Sequence, residues 1–284
     1  MACGVMLLPV MDAIAKYLAA GGMAPGQIAF YRFFFQVLET VPVIVVLRGF
    51  RALRPKRLWL NLVRGCLLGG ASLCFFTAVK ILPLAEAIAI FFVEPFILTI
   101  LSAVILGERV ARGVWMAIVV GFFGALIVID PSFSHYGLVA LLPLGAATLF
   151  ATYLLMNRAL GVSDSPIIMQ YAAGVGGSVF LGGILAVNGV AFGVADLAPS
   201  LPHSYGTWGL ILALGAIAAY GHLLIVWAFQ HTPAAVLAPF QYLEIVSATL
   251  AGYLVFAHVP TPSSLLGIAV IVGAGLYMFW RERY

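Results

Sequence analysis

Charge is what this sequence has least of. Fourteen Lys and Arg and ten Asp and Glu make up 8% of 284 residues, against 64% apolar residues and a mean hydropathy of +1.13. A water-soluble domain of that composition would expose large apolar patches, so the surrounding solvent is lipid. Cysteine is nearly as scarce: Cys3, Cys66 and Cys74 have no metal-type spacing and read as small buried hydrophobes. The sequence also has no Gly-rich phosphate loop ending in Gly-Lys-Ser/Thr, no His-Glu-x-x-His and no Gly-x-Ser-x-Gly. Their absence argues against ATP-driven pumping by this chain alone, and neither a cofactor nor a metal is expected. Alternating polarity is missing as well. Runs such as 96–106 and 114–129 are apolar on every face, which excludes a lipid-facing β-barrel and leaves helices. The net charge of +4 gives no reason to expect nucleic acid, because membrane topology accounts for the basic residues.

What is present is a succession of long apolar runs with short connections. A helix needs about 20 residues to span the hydrocarbon, and the runs predict ten spans at about 3–20, 26–47, 58–79, 84–106, 111–129, 137–157, 166–187, 207–229, 234–256 and 263–280. Nothing is left over for a soluble domain. The first run carries Asp12 and Lys16 and lacks a small-residue cleavage signal, so it reads as a retained helix. Ten of the fourteen basic residues, Arg48, Arg51, Arg54, Lys56, Arg57, Arg109, Arg112, Arg158, Arg281 and Arg283, fall on one side if ten helices alternate. The positive-inside rule then puts both termini in the cytoplasm of a cell with a cytoplasmic (inner) membrane.

Shifting the chain by 150 residues superposes Ala78 on Ala228, Pro83 on Pro233, Ala85 on Ala235, Glu94 on Glu244 and Thr99 on Thr249. A proline ahead of a helix and a glutamate eleven residues later are costly features to repeat by accident. Two five-helix halves, about 1–131 and 132–284 of a single transmembrane domain, follow. An odd number of helices makes the second half enter the membrane from the opposite side, an inverted repeat of the kind used for alternating access.

Within this frame the segment Ala78-Val79-Lys80-Ile81-Leu82-Pro83-Leu84-Ala85-Glu86-Ala87, the following Glu94-Pro95, and Gly107-Glu108-Arg109 at the end of the fourth run resemble the drug/metabolite transporter superfamily in its EamA-like ten-helix branch. In the second half, Ala228 to Ala235 and Glu244 resemble the same pattern, while Ala257-His258-Val259 departs from the Gly-Glu closing signal. The resemblance implies transport of small metabolites, often amino acid export as in YddG-type proteins, with sugars, nucleotide derivatives and adenosylmethionine as the alternative cargoes.

A charge at mid-membrane costs about 2.5–3.5 kcal/mol on insertion scales, so Asp12, Glu39, Glu94 and Glu244 demand a reason. Glu94 precedes Pro95, whose missing N–H frees a carbonyl near Phe91. Gln241 and Glu244, three apart beyond Pro239, repeat the idea. These positions suit either a cavity wall or buried inter-helix hydrogen bonding. Asp12 with Lys16, and Arg32 with Glu39, share helix faces and are expected to pair structurally, while Lys80 and Glu86 are expected at helix ends near the interface. His222 is a candidate proton relay or inter-helix hydrogen-bonding group. Tyr31, Phe91, Trp227 and Tyr242 are candidates for an aromatic wall favouring apolar or aromatic substrate side chains. Gly65 with Gly69, and Gly121 with Ala125, are spaced for close helix approach. An intramembrane enzyme would need more than one helical His beside Glu94 and Glu244, and a non-transporting subunit would use its charges for assembly alone. The leading expectation is a secondary transporter or facilitator of a small solute.

Overall fold

A computed structural model describes the chain apart from residues 108, 109, 111, 161–164, 200, 203, 232–239, 241, 242, 283 and 284. For 130–132, 158–160, 226, 229–231, 279 and 282 it describes the backbone alone. Among the described residues every regular element is helical. The main helices are α1 (Ala2–Ala20), α2 (Pro25–Arg48), α3 (Leu58–Ile81), α4 (Leu84–Phe91), α5 (Glu94–Ile105), α6 (Arg112–Tyr136), α7 (Leu142–Leu160), α8 (Pro166–Val187), α9 (Tyr205–Ala216), α10 (His222–His231), α11 (Leu243–Phe256) and α12 (Pro262–Glu282). Eight stretches are long and apolar enough to cross a membrane, and Leu243–Phe256 and Pro262–Met278 are two shorter apolar helices. The protein is a multi-pass helical membrane protein.

Local chemistry sets the helix ends. Pro25, Pro166 and Pro262 each open a helix, where the missing N–H costs nothing and φ is already helical. Gly49 (φ 77°) and Gly107 (φ 68°) take the left-handed conformation just past α2 and α5. The fourth apolar run forms two helices, α4 and α5, separated at Phe92 and Val93. Pro95 is the cause, since it cannot donate to the carbonyl four residues back, at Phe91. The chain continues with Val93 N–H bonded to the Ile90 carbonyl at 3.2 Å. The eighth run is also interrupted, by a π-helical turn at Ile217–Gly221 that joins α9 to α10.

The expected loop at 130–136 is instead helical, because α6 runs on to Tyr136 before Gly137 (φ 63°) allows the chain to turn. A helix that continues through the interface satisfies its own backbone polar groups. Glu86, expected at the interface, is buried at the start of α4, where it accepts a hydrogen bond from Ser264 at 3.0 Å. The first turn of α4 is covered by α12 rather than left at the rim. Lys80 keeps its interfacial place and pairs with Asp196 at 2.6 Å.

Small residues let the helices approach. A Cβ on Gly65 of α3 would stand 2.5 Å from the Ala173 carbonyl and 2.6 Å from Gly176 Cα of α8, and one on Gly121 of α6 would collide with the Phe96 ring of α5. Helix partners come in matched sets: α3 with α8 and α2 with α9, α3 with α7 and α1 with α10, α1 with α11 and α7 with α5, while α2 packs on α8 and α6 on α12. Phe33, Phe76, Phe96, Ile88 and Ile211 fill the interior.

Candidate functional site

Six helices bring ionisable groups to one polar centre. Asp12 of α1 and Arg32 of α2 are both buried and lie within electrostatic reach of each other. Arg32 also acts on His222 of α10 and Tyr153 of α7, and Glu244 of α11 acts on Asp12 and on Glu94 of α5. One Nη of Arg32 donates to the Ser72 hydroxyl of α3, and the guanidinium lies over the Phe33 ring at 4.7 Å. Glu94 opens α5 and Glu244 sits in the first turn of α11, where a carboxylate is favoured by the free N–H groups of the helix end. Asp12 thus links the guanidinium to the glutamates: it lies within reach of Arg32 and of Glu244, and Glu244 in turn lies within reach of Glu94. Glu94 Oε1 and Arg32 Nε are buried without hydrogen-bond partners, so the centre still has an acceptor and a donor to offer.

The pairs expected from helix spacing do not form. Lys16 donates to the carbonyls of Val79 and Leu82, both at 2.7 Å, and its ammonium lies 5.4 Å from the Phe256 ring centroid. The end of α3 leaves carbonyls without helical partners, and these are better placed than the side chain one turn away. Asp12 is thereby left to Arg32. Glu39 is half-buried with Oε2 unpartnered and makes no pair with Arg32, whose guanidinium is drawn to Ser72 and Asp12. His222 Nδ1 lies 2.9 Å from the Ala218 carbonyl of its own helix, so its bond is local rather than inter-helical. Outside the spans, the environment of the α11–α12 connection lowers the His258 pKa, chiefly by desolvation and then by Lys16, with Glu86 acting the other way.

The expected aromatic wall divides in two. Tyr31 is buried, accepts from Gln27 at 3.0 Å, and has its ring 5.9 Å from Trp208. Phe91 is half-buried and packs between Phe75 (5.6 Å) and Phe150 (5.5 Å), with Tyr153 5.7 Å beyond Phe150. Trp227 does not belong to either group. It is 58% exposed on the outer face of α10, an ordinary place for an indole that meets lipid and interface. Gln241 and Tyr242, together with Pro233, Pro239, Glu108 and Arg109, lie outside the described residues.

Arg64 belongs with the site and went unmarked in the sequence. It is 2% exposed, donates to Asn61 Oδ1 at 2.6 Å, and lies 5.2 Å from the Tyr153 ring centroid. Its signal in the sequence is an arginine inside the third apolar run. Ser72, Tyr153 and Trp208 had no distinguishing signal, since their roles depend on contacts between distant helices.

Relatives align with nearly the whole chain. An S-adenosylmethionine uptake transporter of Rickettsia prowazekii (strain Madrid E) is 27% identical over 96% of this chain and 89% of its own. A riboflavin transporter of Vibrio cholerae serotype O1 is 28% identical over 93% and 86%, and a pseudopaline exporter of Pseudomonas aeruginosa is 28% identical over 93% and 89%. A solved crystal structure superposes with a TM-score of 0.63 at 18% identity, covering 98% of this chain and 95% of that one, which is a likeness of fold. The EamA-like transporter family matches twice, at residues 2–130 and 135–280, and with nearly every residue covered the chain belongs to that family of the drug/metabolite transporter superfamily.

Proposed function

We propose that the chain is a secondary transporter or facilitator that carries a small zwitterionic metabolite through the membrane by alternating access of the polar centre to its two sides. The observation that carries this reading is the set of buried Asp12, Arg32 and Glu94 with half-buried Glu244, held in an otherwise apolar bundle. Burying charge at this depth is costly, and a solute that offers an ammonium to the carboxylates and a carboxylate to the guanidinium offsets that cost while bound. Phe91 and Tyr31 favour a substrate with an apolar or aromatic body. An amino acid has this pattern, and so does adenosylmethionine, an amino acid extended by a heteroaromatic nucleoside. The S-adenosylmethionine uptake transporter among the relatives favours the extended kind, whereas riboflavin shares with it the heteroaromatic body but not the zwitterion. They include both uptake and export, so the expectation of export draws no support from them.

Two inverted halves provide the machinery for this movement. The family's double match and the paired helix packing both support halves of about 1–131 and 132–284. Each half has five spans, so the second is upside down relative to the first. The basic segments from Arg48 to Arg57 and at Arg281 argue for cytoplasmic termini in a cytoplasmic membrane. The test is uptake of labelled adenosylmethionine into proteoliposomes, challenged with amino acids, sugars and nucleotides. Competition by zwitterions with aromatic bodies is the expected result. Competition by sugars or dianions alone would overturn the substrate class, and failure of any labelled solute to enter would overturn transport.

A further inference from the structure

The polar centre accounts for Arg32 but not for Arg64. Both guanidiniums are buried and both have an Nε without a partner. Arg32 faces Asp12, whereas the contacts of Arg64 are neutral: the Asn61 amide oxygen and the Tyr153 ring. A cation on an apolar helix with no counter-charge among the described residues is a costly arrangement, and its donors are short of acceptors at Nε. Such a group suits an anion that comes and goes.

Geometry links the two arginines. Ser72, which anchors Arg32, and Arg64 lie eight residues apart on α3, about 12 Å along the helix axis and about 80° around it, within one broad helix stripe. Tyr153 of α7 touches both environments, being within electrostatic reach of Arg32 and under the guanidinium of Arg64. One turn along α7 stands Asn157, whose buried Oδ1 has no hydrogen-bond partner and would accept from an ammonium or an amide. The Phe75, Phe91, Phe150 and Tyr153 rings run beside this path. Arg64 lies nearer the end of α3 that follows the basic segment Arg48 to Arg57.

We propose that Arg64, with Asn61 and Tyr153, forms a second anion subsite that takes the substrate's carboxylate when the polar centre opens toward the basic-loop end, so that the carboxylate passes from Arg32 to Arg64 along α3. The inference rests on the reading of the chain as a transporter of zwitterions. A guanidinium binds a carboxylate through two parallel N–H donors, and Nε with one Nη forms one such pair. Tyr153, between the two guanidiniums, keeps the step short and dry.

The test compares adenosylmethionine with its decarboxylated analogue, which keeps the sulfonium, amine and adenine and lacks only the carboxylate. Both are assayed in proteoliposomes for the wild type, Arg64→Gln and Arg64→Lys, with folded protein matched by monodispersity and melting temperature. Arg64→Gln is expected to slow adenosylmethionine by at least about tenfold and the analogue by less than about twofold, with Arg64→Lys between, because a point charge replaces the fork. Equal slowing of both compounds would make Arg64 a packing residue, and unchanged rates would remove it from the path; either overturns the subsite. If wild type carries neither compound, the transport reading has failed for this cargo. The subsite is then judged by labelling Arg64 with phenylglyoxal, read by mass spectrometry: slower labelling in the presence of benzoate than of benzylamine supports it, and equal labelling or none overturns it.

Discussion

The Glu86 carboxylate accepts a hydrogen bond from the Ser264 hydroxyl at 3.0 Å, across 178 residues of sequence, and ties the start of α4 to the first turn of α12. The bond is buried and made to a carboxylate, so removing either partner takes a charge-assisted hydrogen bond from the other, although Ser264 keeps the Thr261 hydroxyl at 2.8 Å. Ser264→Ala and Glu86→Ala are each expected to cost about 1–3 kcal/mol, and the double variant less than the sum. Thermal melts of the four proteins in detergent would measure the coupling. Additive losses would show that the two groups act independently.

Helix approach at Gly65 gives a larger effect. The atoms a Cβ would meet, the Ala173 carbonyl, Gly176 Cα and Gly177 N, are all backbone and cannot turn aside. Gly65→Ala therefore has to push α3 from α8, at an expected cost of about 1–3 kcal/mol. Gly145→Ala on α7 meets nothing within 4 Å and serves as the control, expected to melt as wild type does.

How far the sequence could be read depended on how local each cause was. The break at Phe92 and Val93 follows from Pro95 alone, and the apolar runs placed α1, α2 and α3 within a few residues of their observed ends. The spacing of Gly65 and Gly69 announced a close contact, although not with which helix. The salt-bridge expectations failed because helical spacing shows which side chains are able to meet, whereas the partner is set by what a third helix brings. Lys16 found the carbonyls at the end of α3, and Arg32 found Ser72 and Asp12. Trp227 misled for the same reason, since a tryptophan fits the lipid boundary as well as a cavity wall. Arg64 was the reverse case, a visible anomaly whose meaning needed α7 beside it.

Ala257 takes a backbone conformation that is also seen at Gly107. Shifted by 150 residues it corresponds to Gly107, and both take positive φ just beyond a helix, 68° at Gly107 and 54° at Ala257. In that conformation an L side chain costs about 1–2 kcal/mol that glycine does not. The turn is held by Ala257 N–H to the Tyr253 carbonyl at 2.9 Å and His258 N–H to the Gly252 carbonyl at 3.1 Å. Ala257→Gly is expected to stabilise the protein by about 0.5–1 kcal/mol once the added freedom of the unfolded chain is counted. A lower melting temperature in the variant would show that the Ala257 methyl makes a contact worth more than the strain.

Glu94 and Glu244 occupy corresponding places, each in the first turn of a helix, yet the structure treats them differently. Glu94 is buried with Oε1 unpartnered, whereas Glu244 is half-buried and stands within electrostatic reach of both Asp12 and Glu94. A chain of three carboxylates, Asp12, Glu244 and Glu94, with a guanidinium at the Asp12 end alone is most easily accommodated when a cation joins it, and the substrate ammonium supplies one. Replacing either glutamate with glutamine keeps its size and most of its hydrogen-bonding capacity while removing that charge. Glu94→Gln is expected to weaken substrate binding by about tenfold or more, because its buried, unpartnered Oε1 is the acceptor left open to the ammonium. Glu244→Gln is expected to have a smaller effect, since Asp12 and Glu94 remain to hold the ammonium. Initial rates over a concentration series in proteoliposomes, repeated over a series of pH values, would separate the two. If both variants keep wild-type rates and the same pH profile, the glutamates serve packing, and the ammonium is received by freed backbone carbonyls such as that of Phe91 instead.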